Sequence, residues 1–289
     1  MTTRPIVLTA TPVGFAPNGE VDYAASRRIL ESVAASGTDG ALVLGTTGEF
    51  PALTDSERHE LTALSLEVLA GKQVVVHVGA PSAYQVKRYT ADAVALGARA
   101  VAVLTPYYLP ASDEAMLDFY RSVVESAGDV DVYAYLFTAR TGNTVSPELL
   151  ARLAELPHLV GAKISGETLE TVARYRAAAP AGFRIFTGGD RDIARVIDHG
   201  LTGVVSGVSS AFPKPFAEMA DAVASGDTAG IARLQKAVDT VVDAVLGDPE
   251  RMKVALAMQG IDAGTSRMAL DPVDEAARAE LRNAVDAYA

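Results

Sequence analysis

Eight short β-rich runs, set at a nearly constant interval and separated by segments of helical periodicity, restrict this 289-residue chain to very few architectures. The runs are 7–11, 41–47, 74–79, 100–105, 132–138, 159–165, 183–188 and 203–209. Between them apolar residues recur three and four apart, as in Ile29, Leu30, Val33 and Ala34, or Leu61, Leu64, Val68 and Leu69. Thr54 followed by Glu57 has the form of a capping box, and Ser146 precedes Pro147 at a first helical position. Gly37, Gly71, Gly97, Gly128 and Gly200 each close a periodic segment shortly before the next strand. Eight alternations without a composition break favour an α/β fold of the closed (β/α)8 TIM-barrel type, because open doubly wound sheets usually stop at about five or six strands. After Ser210 the pattern is helical only, with segments at 231–246, 249–260 and 272–288. The expected organisation is a barrel catalytic domain over 1–225 and a C-terminal helical extension, 226–289, packed on the barrel.

Composition then removes whole classes of function. A net charge of −11 argues against nucleic acid or an acidic membrane surface as partner, since basic patches supply most of that affinity. The absence of cysteine rules out disulfides and thiolate metal sites. The N-terminus carries no signal-like apolar block, and no run approaches the roughly 18 apolar residues of a membrane span. His59, His77, His158 and His199 are scattered without metal-ligand spacing. The expectation is a cytoplasmic protein acting on a small molecule, without metal or cofactor.

Within this pattern Lys163 is out of place. It lies in the apolar run Leu159-Val160-Gly161-Ala162-Lys163-Ile164-Ser165, whose length and composition suit a buried strand. Lys72, Lys87, Lys214, Lys236 and Lys253 fall in turns or in helical spacing, where an ammonium reaches water along its stem, so Lys163 is the one lysine expected to be walled in. Burial disfavours the charged form and so favours an amine able to attack a carbonyl carbon, the start of Schiff-base chemistry. The plainer reading is a structural lysine paired with a buried carboxylate, but its sequence neighbours offer no acid.

In a TIM barrel the site lies at the carboxyl ends of the strands, and several ends here are polar. The second closes with Gly45-Thr46-Thr47-Gly48-Glu49 and the fourth with Thr105-Pro106-Tyr107-Tyr108; the fifth holds Tyr135 and leads to Arg140-Thr141-Gly142. Hydroxyls and backbone N–H groups at Thr46-Thr47-Gly48 can bind a small carboxylate while a neighbouring amine attacks the adjacent ketone, which describes an α-keto acid. Tyr135 can shuttle protons through a hydroxyl chain with Thr46 and Tyr108, and Arg140 can hold a second carboxylate. Taken alone, GTTGE is an ordinary glycine-rich turn, and Tyr107 reads as an interface or core aromatic. The turns Thr187-Gly188-Gly189-Asp190 and Ser206-Gly207 follow strands seven and eight, where many barrels bind phosphate, so a phosphorylated substrate stays open.

Together, GTTGE at 45–49, TPYY at 105–108, Tyr135 with RTG at 140–142, and GAK at 161–163 resemble the dihydrodipicolinate synthase / N-acetylneuraminate lyase family, from the first strand into the helical tail around Lys253 and 267–272. The resemblance implies that Lys163 forms an imine with pyruvate, that Tyr135 is the acid/base, and that Thr46 and Tyr108 complete a proton relay, Tyr108 coming from a neighbouring subunit. It also implies that Thr47 binds the pyruvate carboxylate, that backbone at Gly188 and Val205 lines the pocket, and that Arg140 anchors the second substrate. Relatives of this kind are usually homotetramers, as dimers of dimers. The activity implied is condensation of pyruvate with aspartate semialdehyde in lysine biosynthesis; a 2-keto-3-deoxy sugar-acid aldolase or dehydratase is the alternative, and a catalytically idle keto-acid sensor is the alternative from another class.

Three positions depart from the family pattern. Tyr135-Leu136-Phe137-Thr138 stands where synthases typically read Tyr-Asn-Val-Pro, and Ile164 replaces the usual acid after the lysine. Asp55 and Arg58 occupy the region after GTTGE where lysine-inhibited relatives place histidines, so no strong lysine feedback is expected.

Overall fold

A computed structural model describes residues 3–289. Eight parallel strands follow in chain order around a closed barrel. They are β1 (Ile6–Ala10), β2 (Gly40–Val43), β3 (Gln73–His77), β4 (Ala100–Leu104), β5 (Asp131–Leu136), β6 (Leu159–Ile164), β7 (Arg184–Thr187) and β8 (Gly203–Ser206). The helices are α1 (Tyr23–Ala35), α2 (Asp55–Val68), α3 (Ala83–Ala95), α4 (Asp113–Ala127), α5 (Thr138–Thr141), α6 (Pro147–Leu153), α7 (Leu169–Ala178), α8 (Pro213–Ser225), α9 (Thr228–Val245), α10 (Pro249–Met258) and α11 (Glu275–Tyr288). The (β/α)8 barrel with C-terminal helices expected from the alternation is the fold observed. Among the described residues, no helix is long and apolar enough to cross a membrane.

The chain divides into two compact units, one running up to Val74 and resuming at Val205, the other Val75–Val204. In the second unit all five residues of β4 are buried, as a parallel strand covered on both faces requires. α4 packs Met116, Phe119, Tyr120 and Val123 inward, and the Tyr120 hydroxyl donates to the carbonyl of Val103 on β4 at 2.9 Å. In the first unit the capping box at the start of α2 is present: the Thr54 N–H donates to Glu57 Oε2 at 2.8 Å and the Glu57 N–H to Thr54 Oγ1 at 3.3 Å.

Two expectations change. The apolar runs overshoot the strands at their carboxyl ends: β2 stops at Val43, because Leu44 adopts φ 57, and 208–210 and 138–141 are helical turns. Apolar content continues past the point where the backbone leaves the sheet, and these are the ends that bear the candidate site. The segment between β7 and β8, expected to be a helix closing at Gly200, is instead a 3-10 turn at Asp190–Asp192 followed by further turns. Several of its hydrogen bonds span three residues, such as Arg195 N–H to Asp192 O at 2.8 Å, while Leu201 N–H reaches back five to Val196 O at 2.9 Å. Its buried apolar residues Ile193 and Val196 are three apart, as a 3-10 repeat places them on one line.

Glu57 does more than cap α2. Both its oxygens accept from Arg267, at 2.7 and 2.8 Å, and Arg267 also donates to the carbonyls of Gly19 and Ala52. Hydrogen bonding from Arg267, reinforced by Thr54, lowers the Glu57 carboxyl from 4.5 to about 2. A carboxyl depressed in the folded state contributes stability that is complete above about 4.5 and is lost as pH falls toward 2. Glu57→Gln is therefore expected to cost on the order of 2 kcal/mol at neutral pH and to flatten the acid limb of stability over that window, read by urea unfolding at several pH values.

Candidate active site

Within Val75–Val204 the candidate residues gather where β5 and β6 end. The two strands pair in parallel with Tyr135 opposite Lys163. Both are buried, Tyr135 at 1% exposure and Lys163 at 8%. The Lys163 Nζ lies 3.8 Å above the centroid of the Tyr135 ring and 5.9 Å from that of Phe137. Phe137 stacks on Tyr135 at 6.2 Å and 23°, while His77 meets the Tyr135 ring edge-on at 5.8 Å. Among the described residues no carboxylate lies within ion-pair distance of Lys163. The amine is thus packed against aromatic faces, close to a phenol.

Arg140 sits on α5, exposed, with its guanidinium carbon 5.8 Å from the Phe137 centroid. The Phe137 ring thereby neighbours the lysine, the tyrosine and the arginine alike. Sequence reasoning treated it only as a departure from the family pattern. The signal was there: residues two apart on a strand share a face, so position 137 follows Tyr135 into the same space.

Gly188 follows β7, and its N–H donates to the carbonyl of Ile164 at 2.7 Å. A Cβ at that position would meet Ser165 Oγ at 2.3 Å and Ser165 Cβ at 3.2 Å, so any side chain there has to displace Ser165. Tyr108 stands apart from this cluster: it is 91% exposed and has φ 81, an uncommon backbone for a tyrosine. Its loop is held by Asn143, whose amide donates to the carbonyls of Pro106 and Leu109 at 2.8 and 3.0 Å and whose Oδ1 accepts from the Ala111 N–H at 2.8 Å. Asn143 was not picked out from the sequence, since its role is contact across 30 and more positions.

In the other unit, Thr46 and Thr47 are half-buried in a tight turn. The Gly48 N–H donates to Gly45 O and the Glu49 N–H to Thr46 O, at 3.1 and 3.0 Å. Left-handed residues bracket the turn, Leu44 at φ 57 and Glu49 at φ 53. Val205, on β8, is buried at 4% exposure.

One expectation about the lysines is overturned here. Lys253 does not reach water: on α10 it is 1% exposed, deeper than Lys163, and its Nζ donates to Glu49 Oε1 at 2.8 Å and to the carbonyl of Thr265 at 3.1 Å. Helical spacing reports which face a residue occupies but not whether that face is covered. Burial lowers the Lys253 ammonium from its ordinary value, and the adjacent Glu49 carboxylate opposes that effect. The histidines do not cluster, and among the described residues no group of three or more His, Asp or Glu side chains could hold a metal ion.

The model of the Dihydrodipicolinate synthetase family matches residues 4–288. The chain is 30% identical over 283 residues to the 4-hydroxy-tetrahydrodipicolinate synthase of Thermosynechococcus vestitus, covering 97% of this chain and 96% of that protein. It is 35% identical over 249 residues to an uncharacterised DapA-like lyase of Halobacterium salinarum, covering 85% and 81% respectively. The crystal structure of dihydrodipicolinate synthase DapA-2 from Bacillus anthracis superposes with a TM-score of 0.92 at 26% identity, covering both chains completely.

Proposed function

Because the chain belongs to the dihydrodipicolinate synthetase family, a lyase family that works through a lysine Schiff base, we propose that it condenses pyruvate with aspartate semialdehyde as a 4-hydroxy-tetrahydrodipicolinate synthase. The observation that carries this reading is the Lys163 amine, buried beside the Tyr135 phenol with no carboxylate in ion-pair reach. In the proposed reaction the amine attacks the ketone carbon of pyruvate, and Tyr135 supplies the proton with which the carbinolamine oxygen leaves as water. The deprotonated Tyr135 oxygen then takes a proton from the methyl carbon of the imine, and the resulting enamine attacks the aldehyde carbon. Tyr135 returns that proton to the aldehyde oxygen, and attack of the substrate's amino group on the re-formed imine carbon releases Lys163.

Roles for the remaining residues rest on motif and local geometry. Thr47 binds the pyruvate carboxylate, with Gly188 and Val205 lining the pocket, and Thr46 passes protons to and from Tyr135. Tyr108 completes the relay from a second copy of the chain in a dimer of dimers; its 91% exposure and left-handed backbone suit a side chain held out for a partner. Arg140 anchors the second carboxylate, with the Phe137 ring beside both it and the imine.

Phe137 also favours the second reading, a 2-keto-3-deoxy sugar-acid aldolase or dehydratase, because an aromatic wall beside the imine changes the space offered to the aldehyde. A panel of aldehydes with pyruvate decides between them. Aspartate semialdehyde is expected to sustain turnover, and Arg140→Ala to raise its KM about tenfold or more while leaving pyruvate trapping unchanged. Failure with aspartate semialdehyde and turnover with a sugar-derived aldehyde would reassign the enzyme to the second reading.

A further inference from the structure

We propose that the buried Glu49–Lys253 ion pair is a positioning device, through which helix α10 sets the place of the Thr46–Thr47 turn and hence the affinity for the keto-acid carboxylate; this rests on the proposed role of Thr47. Glu49 is the last residue of that turn and is 1% exposed, and its backbone N–H is bonded to Thr46 O. Its carboxylate is held from two points of the C-terminal region, Lys253 Nζ at 2.8 Å and the Met268 N–H at 2.7 Å. The preceding residue on α10 and Thr47 both pack on Gly207: a Cβ there would meet Met252 Cε at 2.7 Å and Thr47 Oγ1 at 3.1 Å. A shift of α10 is therefore transmitted to Thr47 through packing on Gly207 and to Glu49 by charge.

Two physical arguments favour positioning over stabilisation as the reason for this arrangement. Two charges taken out of water are seldom a better source of stability than apolar residues of the same volume, so a fully buried pair is weak evidence for a stabilising role. The turn it holds has left-handed non-glycine residues at both ends, Leu44 and Glu49, and such backbone persists only where the surroundings over-determine it. Phe15 completes the mount, with Lys253 Nζ 4.4 Å and the Arg267 guanidinium carbon 4.5 Å from its ring centroid.

The test is borohydride trapping of the pyruvate imine, which does not depend on the identity of the aldehyde. Lys253→Met leaves Glu49 buried without its counter-ion, so the double variant E49Q/K253M is measured beside it; this keeps an acceptor for the Met268 N–H and removes both charges. The expected result is that the double variant melts near the wild-type temperature. Its pyruvate concentration for half-maximal trapping rises about tenfold or more, while trapping at saturating pyruvate stays within about threefold. An unchanged half-trapping concentration in the folded double variant overturns the proposal, as does failure of both variants to fold, which would make the pair a folding determinant. Absence of any Lys163 adduct in the wild type would instead overturn the active-site reading on which the proposal stands.

Discussion

Replacing Lys163 with methionine is expected to lower turnover by at least about four orders of magnitude and to abolish the covalent adduct formed with pyruvate and borohydride. Methionine matches the length of the lysine stem and packs well against the rings of Tyr135 and Phe137, so the melting temperature should fall little. Lys163→Arg supplies the complementary arm. It keeps a cation over the Tyr135 ring but offers no amine that can condense with a ketone, so it should be equally inactive. Peptide mapping of the wild-type adduct should place the added mass on Lys163. An adduct on another lysine, or turnover surviving in either variant, would end the Schiff-base assignment; absence of any adduct in an otherwise folded wild type would favour a keto-acid sensor.

Tyr135→Phe is the second large effect, expected at about 10²- to 10⁴-fold in kcat, the range that a positioned proton donor contributes. The substitution keeps the ring that stacks on Phe137, meets His77 edge-on and underlies Lys163, and removes only the hydroxyl. Stability should therefore hold while the proton-transfer steps slow, and slow trapping of the imine at long incubation should remain. Retention of kcat within about threefold would make Tyr135 a packing residue that happens to border the lysine.

The two residues illustrate how unevenly the site was legible. Lys163 stood out because a charged residue inside a six-residue apolar strand is improbable on energetic grounds, and β6 is indeed buried around it. Phe137 was legible in principle, since strand periodicity carries position 137 onto the face of Tyr135, but Phe137 looks like any core aromatic until its contacts with Lys163 and Arg140 are known. Lys253 was misread, because its helical surroundings look the same whether that face of α10 meets water or a covered carboxylate. Asn143 and the Glu57–Arg267 pair were invisible in advance: their partners lie tens to hundreds of positions away, at Pro106 and at 267.

What the sequence determined by itself was the periodic part of the protein. Eight short apolar runs alternating with segments of period 3.6, punctuated by caps and glycines, favoured a (β/α)8 barrel over an open sheet of fewer strands, and a lysine inside one of those strands already demanded a chemical reason. Tertiary structure alone decided where each strand stops, that the β7–β8 link is a short 3-10 turn and further turns rather than an α-helix, and that a second lysine is buried with Glu49 as its partner. The division has one physical cause. Periodicity is a local property of the chain, whereas backbone excursions at strand ends and pairing of distant charges depend on what the fold packs against them.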